Sequence, residues 1–130
     1  MKKFAELQYV RPDMEKVFAR VSGDIAVLKE AKSYEEFRNA YMDYVEADTE
    51  LETSKTVAHV RNTINLLDEF YEAEMVYFNS QMPKYEILKK EMGEVIVASP
   101  FKAEMEKEFG AILIQRPRNS FLTNLSWMIR

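Results

Sequence analysis

A chain of 130 residues with a formal net charge of −4, 47% hydrophobic and 31% charged, has the composition of one globular domain or of one lobe of a larger protein, not of a disordered segment. Three glycines and four prolines are too few for the turns of a β-sandwich or barrel, which leaves long helices as the default. Without cysteine there is no disulfide framework, no thiolate nucleophile and no Cys-ligated metal, and an acidic balance lacking a Lys/Arg stripe argues against nonspecific nucleic-acid binding.

Pro12 and Asp13 precede a run in which Met14, Phe18, Val21, Ile25 and Leu28 recur at steps of four and three. That spacing predicts a helix ending near Lys32, with acids in its first turn against the positive end of the dipole. Gly23 weakens it by roughly 1 kcal/mol relative to Ala. Ser33, Tyr34, Glu35 and Glu36 read as a capping box, the hydroxyl accepting from the Glu36 amide while Glu36 reaches back to the Ser33 amide. The helix that follows carries Phe37, Ala40, Tyr44, Ala47 and Leu51 on one face. Val57, Val60, Ile64, Leu67 and Tyr71 continue the rhythm after a six-residue step, which predicts a bend or helix boundary between Leu51 and Val57.

Asp68 is the N-cap expected to open the next helix, whose apolar stripe is Met75, Phe78 and Met82. Pro83 is expected to start or kink a further helix burying Tyr85, Leu88, Met92 and Val95. Ser99 and Pro100 form an N-cap and first-position pair for a short helix, Phe101–Phe109, closed by Gly110. The expectation is an all-α antiparallel bundle of five to six helices over residues 1–110.

Residues 111–130 are different in kind. They hold Arg116, Arg118 and Arg130 and no Lys, Asp or Glu, a charge of +3 that leaves −7 for the preceding 110 residues. Neither a helical nor a strand period fits their apolar residues. A truncated or frameshifted reading frame produces such a tail, and so does a segment ordered by an interface. The N-terminus lacks the apolar stretch of a secretory signal. The longest late uncharged run, residues 119–129, falls well short of the ~20 residues that span a bilayer. A cytoplasmic protein with no membrane or nucleic-acid partner is expected.

Little catalytic chemistry is legible. His59 is the single imidazole, followed by Val60 and Arg61, so neither a His-Glu-x-x-His zinc motif nor the paired histidines of a di-iron bundle is present, and a structural role is expected. Asp68, Glu69, Glu72 and Glu74 form an acidic cluster beside Phe70 and Tyr71. Such carboxylates can hold a cation or transfer protons, but acids at a helix N-terminus more simply stabilise the dipole and face water. Arg61 reaches them only if its helix runs on unbroken. Seven tyrosines and eight methionines at helical spacing are core and rim residues of helix packing. No catalytic, cofactor-binding or metal-binding residue is assigned, and no cofactor is expected.

Two stretches carry a family resemblance. The opening from Met1 to Glu15, with Lys3-Phe4 and Tyr9-Val10-Arg11-Pro12-Asp13, resembles the start of oligoendopeptidase F-type zinc peptidases, relatives of thimet oligopeptidase. The segment from Val60 to Glu74, with Arg61-Asn62, Ile64-Asn65 and Asp68-Glu69-Phe70-Tyr71, is similar to that family's Ile-Arg-His-x-Ile-Asp-Thr-x-Asp-Glu-Phe-Tyr-x-x-Glu. Asn62 stands where the family often has His. The resemblance, over roughly residues 1–110, implies an enzyme of several hundred residues whose two helical lobes enclose a channel, with its zinc site far downstream. On that reading this chain is the noncatalytic opening segment of a channel wall, not an enzyme by itself. The alternative is a free-standing helical interaction module. A lobe segment of a larger enzyme is expected to keep an apolar face that either the tail, with Phe121, Leu122, Leu125, Trp127 and Met128, folds back over or a second copy covers; a homo-oligomer, most simply a dimer in which the tail takes part, is expected, with the remainder of a peptidase as the other partner.

Overall fold

The computed structural model describes residues 8–110. Four helices follow in order, α1 Met14–Glu30, α2 Tyr34–Ile64, α3 Glu69–Ala98 and α4 Lys102–Phe109. The described residues are 83% helical with no strand, and the all-α expectation holds. Among them no helix is long and apolar enough to cross a membrane. The expectations placed on residues 111–130 lie outside the described residues.

Four helices replace the expected five to six because two anticipated breaks do not occur. The six-residue step from Leu51 to Val57 lies inside α2, which runs unbroken for 31 residues. The stripe changes phase there because the neighbours of α2 change. Up to Leu51 the helix packs against α1, whose Arg20 meets Asp43, Glu46 and Glu50 of α2. Around Leu51 and Ser54 the groove beside α2 is lined by the first turn of α1, Lys16 and Val17, and by the preceding Val10, Arg11 and Pro12. A helix follows its partners around its circumference without having to bend. Pro83 likewise stays within α3. Its ring removes the amide that would bond the Asn79 carbonyl, but both residues lie on the exposed side, and Phe78 and Tyr85, fully buried either side of it, hold the helix in place.

Caps decide the remaining ends. Asp13 accepts from the Lys16 amide at 3.3 Å and Asp68 from the Phe70 amide at 2.9 Å. Ser33 accepts from the Glu36 amide at 3.2 Å, while Glu36 reaches one residue further back than expected, to the Lys32 amide at 2.9 Å. Ser99 does not cap α4. Its hydroxyl donates to the Ile96 carbonyl at 2.8 Å and closes α3, and Phe101 opens α4 with no side-chain cap. Gly110, at φ 92°, ends α4 with its amide on the Glu106 carbonyl; that positive φ strains any residue with a Cβ.

The core sits where α1, α2 and α3 face one another. It is formed by Met14, Phe18, Val21, Ile25 and Leu28, by Phe37, Ala40, Tyr44, Ala47, Leu51 and Ala58, and by Phe78, Tyr85, Met92 and Ile96, with Met105 of α4 as a plug. The first two stripes, Ala58 apart, are those read from the sequence. The stripe expected from Val57 to Tyr71 is not buried throughout: Val57 is buried, but Ile64 and Leu67 stand in solvent, Leu67 91% exposed.

Candidate functional site

The two stretches that carry the family resemblance lie about 60 residues apart in sequence, and the fold brings them together. Residues 9–12 run as an extended strap along the N-terminal half of α3. The Tyr9 hydroxyl donates to Glu74 Oε1 at 2.6 Å, the Arg11 guanidinium pairs with both Glu74 oxygens, and the Tyr77 hydroxyl donates to the Pro12 carbonyl at 3.0 Å. Tyr9 also packs edge-on against Phe70 and Tyr71, and the Arg11 guanidinium lies 4.3 Å from the Tyr77 ring centroid.

Of the four acids expected at the start of α3, the structure separates one from the rest. Glu69 and Glu72 face water and Asp68 caps the helix, whereas Glu74 is only 2% exposed and is the anchor of the strap. Arg11 holds its carboxyl below the usual carboxylate range, and the Tyr9 hydroxyl adds to that; burial beside Glu74 pushes the Tyr9 phenol up. Reading all four acids as solvated missed this contact. The signal for it was Tyr-x-Arg ahead of a helix cap, a donor pair on a segment whose nearest following acid, Asp13, is taken up by the cap itself.

Arg61 and His59 have structural settings. The chain turns between Ile64 and Glu69, so α2 does not carry Arg61 into the acidic cluster along one helix. Arg61 crosses the turn to donate to the Tyr71 hydroxyl at 3.0 Å. His59 lies on the exposed side of α2. Among the described residues no three His, Asp or Glu side chains converge as cation ligands.

A polar contact that the sequence reading did not single out lies inside the core. Tyr85 of α3 donates to Asp48 Oδ1 of α2 at 2.7 Å, with Lys89 Nζ 3.9 Å from the same oxygen and 4.0 Å from Glu86. Burial, then the Asp48 charge, raise the Tyr85 phenol far above its ordinary value. A buried carboxylate is tolerated only when its lone pairs are met, so this contact fixes the register of α2 on α3. At the far end, Glu108 of α4 accepts from Tyr34 and Arg38 of α2, while Phe101 and Phe109 pack on Phe37 and Tyr41.

These clusters tie helix to helix within an all-helical domain. The sequence profile of the peptidase M3 N-terminal domain matches residues 4–124, and the chain belongs to that family. Among solved structures it is similar to one described as PZ peptidase A with inhibitor 2, with a TM-score of 0.82 and 28% identity over 86% of this chain. The chain spans 20% of the length of that peptidase. A search of curated proteins finds no match.

Proposed function

We propose that this domain is noncatalytic by itself and that, in a parent M3-type peptidase, it forms part of one wall of the substrate channel and limits access to short peptides. The observation that carries the reading is the family match over nearly the whole chain, joined to a solved peptidase of which the chain covers only a fifth. The sole histidine supports it, since catalytic zinc takes about three protein ligands and His59 is followed by Val60 and Arg61. So does the tip where α2 turns into α3. Ile64, Leu66, Leu67 and Phe70 stand more than half exposed there, and an apolar patch of this kind marks a contact surface. The occupant we assign to it is the remainder of the peptidase; a second copy of the chain, related by a two-fold axis, is the competing occupant.

The full 130-residue chain tests this. Metal analysis after dialysis against a weak chelator, with a fluorogenic peptide assay alongside, is expected to find no retained zinc and no turnover. About one zinc per chain with turnover overturns the reading. Mixed with a separately expressed family enzyme lacking its own N-terminal segment, the chain is expected to bind, and to bind less tightly with Leu67→Ser. Sedimentation of the chain alone decides whether a second copy takes the tip instead.

A further inference from the structure

On the seam between α1 and α2, away from both strap and tip, two carboxylic acids meet. Asp24 of α1 is 9% exposed, and its Oδ2 has no conventional hydrogen-bond donor among the described residues. The group it contacts is another acid, Asp43 of α2. Asp43 is in turn gripped by Arg20, whose Nη2 and Nε stand 2.8 and 3.1 Å from its two oxygens. Two ionised carboxylates in contact repel, and a buried carboxyl oxygen without a donor loses its hydration for nothing in return. One proton removes both penalties, because a protonated Asp24 becomes the donor that the pair lacks. Arg20 settles where that proton sits: the guanidinium favours the ionised form of Asp43, so Asp24 keeps it.

We propose that Asp24 and Asp43 share a single proton carried by Asp24, and that this proton is a latch holding α1 against α2 which opens as the surroundings become alkaline. Burial, with Asp43 beside it, pushes the Asp24 carboxyl up to about 7, while Arg20 holds Asp43 below the usual carboxylate range. The pair borders an open notch that Glu30 of α1 and Glu36 and Asn39 of α2 also line, so solvent can deliver and remove the proton. Glu46 and Glu50 act on the pair through Arg20. From α3, Lys84 reaches α1 over the Phe18 ring and Glu91 pairs with Lys29.

The sign follows from linkage. Asp24 releases its proton near pH 7 when folded and near 3.8 ordinarily, so folding takes up a proton between those values. The latch is fully present below the lower one and is lost as the pH rises through the higher one. The unfolding constant gains up to about tenfold per pH unit across that window.

The test is urea unfolding of the full chain at intervals between pH 5 and 8, in the wild type and in Asp24→Asn, whose carboxamide donates to Asp43 at every pH. The wild-type unfolding constant is expected to rise with pH more steeply than that of the variant, by nearly one proton's worth between pH 5 and 6.5, with the two curves parallel above 7.5. Carbon-13 titration of the Asp24 carboxyl in the wild type gives an independent reading and is decisive if the variant does not fold. A midpoint near 7 is expected. Parallel unfolding profiles throughout, or a midpoint near 4, overturn the proposal.

Discussion

The two ends of the bundle are built by different means. Around Phe37, α1, α2 and α3 pack three deep and α4 closes the end, so side chains are buried on every side: Phe37, Val21 and Met105 have no exposed surface. Around Leu67 only α2 and α3 remain, joined by a tight turn in which Asn65 Oδ1 accepts from the Leu67 amide at 3.2 Å, with the strap of residues 9–12 in place of a third helix. The same kinds of residue therefore have opposite fates. Large apolar side chains at one end make the core, and at the other they face out. Helix-forming pattern is shared along the whole length; the number of neighbours is not, and burial follows the neighbours.

The largest effect that sharpens this contrast is expected at the packed end. Phe37→Ala leaves a cavity under Phe101 and α1 and is expected to destabilise the fold by about 3–5 kcal/mol, read from the midpoint of urea unfolding. Next comes the buried contact between α2 and α3. Tyr85→Phe removes the hydroxyl that donates to Asp48 and is expected to lose about 1–3 kcal/mol by the same measurement. A loss no greater than that of an exposed tyrosine breaks the view that this contact sets the register.

Gly23→Ala runs the other way. A Cβ at this position meets nothing within 4 Å and Gly23 is in mid-helix, so a gain of about 0.5–1 kcal/mol is expected, visible as a higher thermal midpoint. At the tip, Leu67→Ser is expected to change the stability of the isolated chain by less than about 0.5 kcal/mol, since the side chain has little packing to lose. If its loss rivals that of Phe37→Ala, something in the isolated chain covers the tip and the contrast between the ends is wrong.

Sequence pattern was most informative where each helix keeps one set of neighbours. The stripes from Met14 to Leu28 and from Phe37 to Leu51 are buried residue for residue, and Asp13, Ser33, Asp68 and Gly110 mark helix ends as expected, because caps and periodicity are local properties. The places it misled are those where a distant segment intervenes. The phase step after Leu51 looked like a boundary because the change beside α2 from α1 to the preceding Val10, Arg11 and Pro12 is not written locally. Ser99 carries the signature of an N-cap, yet its hydroxyl turns back to Ile96, since the same short side chain can serve either end of a helix. Glu74 was indistinguishable from its solvated neighbours until a strap some 60 residues away supplied Tyr9 and Arg11. Asp24 and Asp43 gave no signal at all, for a carboxylate on a helix is ordinarily a surface residue and nothing local shows that two of them meet.

The strap also bears on the order in which the chain assembles. Most of the packing joins helices that follow one another directly, and such hairpins close over short loops. The bonds from Tyr9 and Arg11 to Glu74 span 65 and 63 residues, and closing a loop of that size before the helices have formed is entropically unfavourable. The strap is therefore expected to settle last and, by the same reasoning, to lift first, as a local opening that leaves the three-helix end intact. During such an opening Glu74 loses the partners that make its burial tolerable, so the first two turns of α3 loosen with it. Protection of amide hydrogens from exchange should accordingly fall along α3 from Tyr85 towards Glu69, although both belong to one unbroken helix.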